Sequence, residues 1–137
     1  MRLLVDTHIF LWAYSEPEKL NEDARGLLGN ASIEKLFSAA SAWEIGIKWA
    51  KGGLSLAEPP QMLIPQKVTE AGLIPFPIIL EDALNASDLP RYHSDPFDRL
   101  LVAQAQRSGA RILTNDKTMA KYDVDLIALW LREDDDE

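Results

Sequence analysis

The chain is predicted to fold as an α/β domain, a parallel sheet wrapped by helices on both faces. Three observations predict it. Short apolar runs alternate with segments of helical periodicity along the whole length. One acid stands directly after such a run and another two residues beyond one, where such sheets place their ligands. No internal repeat or long linker divides the 137 residues, 47% of which are hydrophobic. That length suits one domain, and a chain of ~150 residues buries about 68–70% of its unfolded surface.

The elements follow in order. Leu3-Leu4-Val5 is a buried first strand that ends on Asp6. Thr7 is expected to cap a helix over His8 to Tyr14, which Pro17 closes. Asn21 starts a second helix, with Ala24, Leu27 and Leu28 on its apolar face and Gly29-Asn30 at its end. Lys35-Leu36-Phe37 is the second strand. Ser41 is expected to open a helix that reaches Lys51 and stops at Gly52-Gly53. Pro59, Pro60 and Pro65 interrupt the stretch from Leu54 to Ala71, which should hold a short amphipathic helix. Leu73-Ile74-Pro75-Phe76 is strand-like, and its proline assigns it to an edge.

A brief helix is expected over Glu81 to Ala86. The clearest helix start is Asp95-Pro96-Phe97-Asp98: Asp95 is a good N-cap, Pro96 fits the first helical position, and Asp98 lies on the first turn. That helix should run to Ser108 and stop near Gly109. Arg111 to Thr114 is a strand, Lys117 to Tyr122 a short helix, and Val124 to Leu129 a last strand. The expected organisation is one domain over 1–132 and a disordered acidic tail over 133–137.

Composition excludes several classes. No apolar run approaches the ~20 residues that span a bilayer, and an acid at position 6 argues against a signal peptide. Without cysteine there is neither a disulfide framework nor a thiolate zinc site. A cytoplasmic location is expected. The net charge of −8 argues against nucleic-acid binding through bulk positive charge. Glu133 to Glu137 supply five of those charges.

The remaining acids sort by position. Asp6 follows the first strand and Asp116 follows the Ile112-Leu113-Thr114 strand, so both should emerge at the carboxyl edge of the sheet. Asp98, on a first helical turn, can face the same edge. Glu44 shares a helix face with Ser41 and Lys48, while Trp43, Ile45, Ile47 and Trp49 point elsewhere. Four crowded carboxylates repel unless a cation joins them. Magnesium or manganese prefers such oxygen ligands and suits an in-line displacement at phosphorus. Taken singly, each acid also has a structural reading. Asp98 and Asp116 can serve helix starts, and Glu44 can pair with Lys48; Asp6 is hardest to explain, because an unpaired carboxylate at a buried strand end is costly.

Leu4-Val5-Asp6-Thr7-His8, Ser41-Ala42-Trp43-Glu44-Ile45 with Lys48, His93 to Ala105, Ile112-Leu113-Thr114-Asn115-Asp116 and Tyr122-Asp123-Val124 together resemble the PIN-domain ribonucleases. Within them, the chain is similar to VapC-type toxins of toxin–antitoxin pairs, over almost its whole length. The resemblance implies a three-layer α/β/α domain on a central parallel sheet of four to five strands. It implies a catalytic quartet of Asp6, Glu44, Asp98 and Asp116, with Asp6 and Asp98 as principal metal ligands. Asp116 and Glu44 would complete the site directly or through water, and Thr7, Ser41 and Thr114 would hold water or phosphate. The implied activity is magnesium- or manganese-dependent RNA cleavage, on tRNA or rRNA, leaving a 5′-phosphate. The implied partners are a second copy and a cognate antitoxin whose basic side chain enters the acidic pocket.

Other residues carry weaker signals. His8 and His93 are expected to make local hydrogen bonds; a metal-free ribonuclease would instead use them as acid and base. Lys48 is expected to orient Glu44 or to contact RNA. Arg99 is expected either to bind phosphate or to pair with an acid. Trp12, Trp43 and Trp49 are expected in core or dimer packing. Lys51, Arg91, Lys117 and Lys121 are candidates for a groove rim or plain surface. Rival functions are a nuclease of the same fold that processes rRNA or cuts DNA flaps, and a non-catalytic binding module.

Overall fold

Every strand of the sheet runs in the same direction. The computed structural model describes residues 1–129, so the acidic tail lies outside the described residues. The strands are β1 (Arg2–Val5), β2 (Glu34–Ser38), β3 (Ile74–Phe76), β4 (Arg111–Thr114) and β5 (Leu126–Ala128). Their order is β3-β2-β1-β4-β5, and all neighbours pair in parallel. Six helices surround them: α1 (Thr7–Ser15), α2 (Glu22–Leu28), α3 (Ala39–Ala50), α4 (Pro60–Glu70), α5 (Leu80–Asp88) and α6 (Pro96–Ser108).

The uninterrupted apolar runs have a physical cause. Side chains along a strand alternate between faces, and both faces of this sheet are covered. Leu3 and Val5 join Ile9 and Phe10 of α1, Ala24 of α2, Ile45 of α3 and Ile64 and Val68 of α4 in one core. Leu4, Leu36 and Ile112 face the other way and join Leu101, Val102 and Ala105 of α6. The result is the expected three-layer α/β/α arrangement with five strands. α5 lies against α6, and the fully buried Asp82 carboxylate ties the two helices by accepting from Arg107 Nε at 2.6 Å and Nη2 at 3.0 Å.

Several local expectations are corrected. Asp6, not Thr7, occupies the N-cap position of α1, and its side chain makes no capping bond. Ser38 opens α3, accepting from the N–H of Ala40, so Ser41 lies inside the helix. Pro65 sits within α4 on its exposed side, where water can reach the carbonyl it leaves unpaired. β3 is an edge strand, as its proline requires. Lys117–Lys121 is a 3-10 turn, and β5 is shorter than expected. Gly109 ends α6 at φ 72°, a left-handed conformation that favours glycine. No helix among the described residues is long and apolar enough to cross a membrane.

The topology selects one crevice. From β1 the chain moves to β2 and β3 on one side, then crosses back through α5 and α6 to β4 on the other. The reversal falls between β1 and β4, and ligands of open α/β sheets bind outside the carboxyl ends of strands at such a switch point.

Candidate metal centre

Asp6 leaves β1 into that crevice, and its backbone N–H is held by the carbonyl of Leu113 at 3.1 Å. Its carboxylate is only 3% exposed. The buried hydroxyl of Thr114 donates to Asp6 Oδ2. The same hydroxyl accepts from the N–H of Asp116 at 2.9 Å, so one threonine joins both segments. Asp116 Oδ1 then accepts from Thr118 N at 2.9 Å, which turns Oδ2 toward the crevice.

The N-terminus of α6 supplies the third acid. Asp95 caps the helix, its Oδ1 accepting from Phe97 N at 2.8 Å and Asp98 N at 3.4 Å. The helix start therefore presents Asp98 as the sequence predicts. Asp98 Oδ2 lies 3.0 Å from Nε2 of His93, which also lies 2.6 Å from Asp116 Oδ2. One ring thus spans two of the carboxylates.

Glu44 comes from α3 and is 3% exposed, so it points inward and not along a solvated helix face. Its Oε2 accepts from Lys48 Nζ at 2.8 Å, and this bond raises the pKa of the lysine. Its Oε1 is buried with no hydrogen-bond partner among the described residues. α3 is set against α6 by the Ser38 hydroxyl, which donates to the amide oxygen of the fully buried Gln104. Thr7 donates to Ser41 Oγ at 2.8 Å, and both are buried; these hydroxyls brace α1 against α3 behind the acids.

Electrostatics bear out the crowding. Burial pushes the Asp98 carboxyl up to about 8, with further contributions from the charges of Asp6, Asp95, Glu44 and Asp116. Burial likewise raises Asp6, against the opposing hydrogen bond from Thr114. Four acids from β1, α3, α6 and the end of β4 therefore feel one another. His93, Asp98 and Asp116 each offer a ligand atom within 4.8 Å of the others. The residues fit a hard divalent cation on two counts. The donors are carboxylate oxygens, and a buried carboxylate oxygen without a partner is an expense that a cation removes.

Other expected residues fall differently. Arg99 pairs with no acid among the described residues. Its guanidinium is buried and donates to the carbonyls of Ala86 at 2.7 Å, Leu89 at 3.0 Å and Pro90 at 3.1 Å. Lys48 pairs with Glu44, the first of its two expected roles. Trp12 packs partly on the core, but Trp43 is 61% exposed, its ring edge-on to Phe97 at 5.3 Å. His8 is exposed beside Trp12. Lys51, Arg91, Lys117 and Lys121 are all exposed. The sequence reading gave no role to Tyr122, whose hydroxyl accepts from His93 N at 2.8 Å and donates to the Pro90 carbonyl at 2.9 Å. It also missed Gln104, for which a polar residue amid the apolar stripe of α6 was the only signal.

Comparison with known proteins agrees with this architecture. The chain is 28% identical over 129 residues to Ribonuclease VapC22 of Mycobacterium tuberculosis, covering 88% of this chain and 91% of that protein. Among solved structures, VapBC2 from Rickettsia felis bound to a promoter DNA fragment superposes with a TM-score of 0.70 at 14% identity, covering 93% of this chain and 98% of that one. DNA-bound VapBC from Salmonella typhimurium gives 0.65 at 19% identity, covering 94% and 98%. The sequence model of the PIN domain matches residues 3–125. With the match spanning most of its length, the chain belongs to the PIN domain family.

Proposed function

We propose that this protein is a divalent-metal-dependent endoribonuclease, the toxin of a toxin–antitoxin pair. The observation that carries the proposal is the meeting of Asp98 and Asp116 at the switch point, where the charges of Asp6 and Glu44 also reach Asp98, with Glu44 Oε1 buried and unpaired. The curated relative is named a ribonuclease, and the structural neighbours include VapBC toxin–antitoxin pairs. Asp6, Asp98 and Asp116 would hold magnesium or manganese, and Glu44 would complete the catalytic quartet. When bound, the ion supplies the positive charge that favours in-line displacement at phosphorus. Thr114 holds Asp6 and the Asp116 backbone in place, Asp95 fixes the first turn of α6, and the Thr7–Ser41 pair braces the wall. Lys48 orients Glu44, and its half-exposed ammonium would also face the RNA backbone. The substrate would be tRNA or rRNA, the working form a homodimer, the silencing partner a cognate antitoxin, and the compartment the cytoplasm.

Incubation of the purified protein with tRNA and rRNA, with manganese or with chelator, tests the reading. Metal-dependent cuts that vanish in Asp6→Asn and Asp98→Asn are expected. Cutting that survives both substitutions, or persists in chelator, refutes it. Cleavage confined to DNA flaps favours the other nuclease reading.

A further inference from the structure

We infer that His93 is a positioning residue: its Nε2–H holds the Asp116 carboxylate in place beside Asp98, and the ring is not itself a ligand of the cation. The inference rests on the metal-nuclease reading above and deepens it. By distance alone His93 looks like a third ligand, since its Nε2 shares a 4.8 Å sphere with oxygens of Asp98 and Asp116. The partner of the other ring nitrogen decides otherwise. His93 Nδ1 accepts from the N–H of Asp95 at 3.2 Å. A ring nitrogen that accepts carries no hydrogen, so the ring's hydrogen is on Nε2. Nε2 then has no lone pair to give a metal. It is a donor, and its acceptor is Asp116 Oδ2 at 2.6 Å, with Asp98 Oδ2 lying 3.0 Å away beside that bond.

The loop that carries the ring is built to keep it there. His93 N donates to the Tyr122 hydroxyl at 2.8 Å, and the His93 carbonyl accepts from Arg99 Nη1 at 3.4 Å. Arg99 also gathers the carbonyls of Ala86, Leu89 and Pro90, while Tyr122 returns its hydrogen to Pro90. Both backbone groups of His93 and both ring nitrogens are therefore engaged. With Thr118 N on Oδ1 and His93 on Oδ2, each oxygen of Asp116 is held by a donor. Without the ring, Asp116 Oδ2 would lose the donor that keeps it facing Asp98, and a cation would have to reassemble the pair. Loss of such an outer partner typically lowers metal affinity ~10–100-fold.

Glutamine separates the roles. Its side-chain amide can place an N–H near the Nε2 position but is a poor ligand and does not titrate. Manganese binding to the full chain would be followed by electron paramagnetic resonance, with pulsed measurement of nitrogen coupling to the bound ion. The expected results are no nitrogen coupling from His93, affinity of His93→Gln within about threefold of the parent, and a loss of ~10–100-fold in His93→Ala. A nitrogen coupling that disappears in His93→Gln overturns the inference, because the ring is then a ligand. Equal affinity of His93→Ala and parent also overturns it. Melting in chelator identifies an alanine variant that does not fold, in which case the glutamine affinity and the coupling decide. Absence of manganese binding in the parent overturns the metal reading itself; binding that Asp98→Asn abolishes while His93→Ala leaves it intact overturns only the role of His93.

Discussion

Thr114 and Asp6 are joined across the seam between β1 and β4, the threonine hydroxyl donating to the carboxylate while it accepts from the N–H of Asp116. Both residues are almost fully buried, so neither can exchange this bond for water. Thr114→Val keeps the shape and removes both bonds. We expect metal affinity and RNA cleavage to fall ~10–100-fold while the protein stays folded. Thr114→Ser should restore most of the loss. Titration calorimetry with manganese and a thermal melt check this; an unaffected valine variant would show that the hydroxyl positions nothing.

The second prediction concerns pH. Burial, then the charges of Asp6, Asp95, Glu44 and Asp116, raise the Asp98 carboxyl to about 8 from an ordinary 3.8. Between these values the folded, metal-free protein holds a proton that the unfolded chain has released. The associated stability is complete below about pH 4 and disappears as pH rises through about 8. Asp6, also raised, acts in the same direction. The melting temperature in chelator should therefore fall from pH 5 to pH 9, and Asp98→Asn should flatten the decline. Because a cation must displace the same proton, added manganese should stabilise the protein more at pH 8 than at pH 6. A metal-free melting curve that rises over this range would contradict the assignment.

Those two predictions rest on segments whose placement was legible in the sequence to different degrees. β1, β4 and the start of α6 were legible because their signals are local: apolar runs closely followed by an acid, and an Asp-Pro helix start that needs no distant partner. The register of α3 was not. Ser41 was expected to open it, whereas Ser38 does, its hydroxyl tied both to Ala40 N and across to Gln104, and the second of these bonds is tertiary. The burial of Glu44 was not legible from its spacing to Ser41 and Lys48, because a helical wheel does not show what packs against that face. His93 was expected to bond locally, and its Nδ1 does. Its bond to Asp116, made beside Asp98, was hidden, because the path of its loop depends on a buried guanidinium and on Tyr122, far along the chain.

Gln104 tests how far the site depends on the packing behind it. It is fully buried, accepts from Ser38 Oγ and donates to the Pro77 carbonyl at 3.1 Å. Gln104→Leu has similar volume but leaves that carbonyl unpaired and frees the serine that starts α3. A buried polar group left without a partner costs about 1–3 kcal/mol. Urea denaturation should show a loss in that range. Glu44 rides on α3, so metal affinity should weaken as well. Unchanged stability would mean that water replaces the amide at no cost.

Arg99 gives the sharpest contrast between what the sequence allowed and what the structure assigns. If the guanidinium met RNA, Arg99→Lys would weaken substrate binding in a salt-dependent way and leave the fold intact. Its position predicts the reverse. The planar fork reaches the carbonyls of Ala86, Leu89 and Pro90 together, and an ammonium on a shorter stem cannot. Arg99→Lys should cost about 2–4 kcal/mol in chemical denaturation, mostly through buried carbonyls left unpaired. The loop before α6 would loosen, His93 would lose its fixed place, and manganese affinity should fall with stability. A lysine variant with parental stability and a raised, salt-sensitive KM for RNA would return Arg99 to the substrate surface.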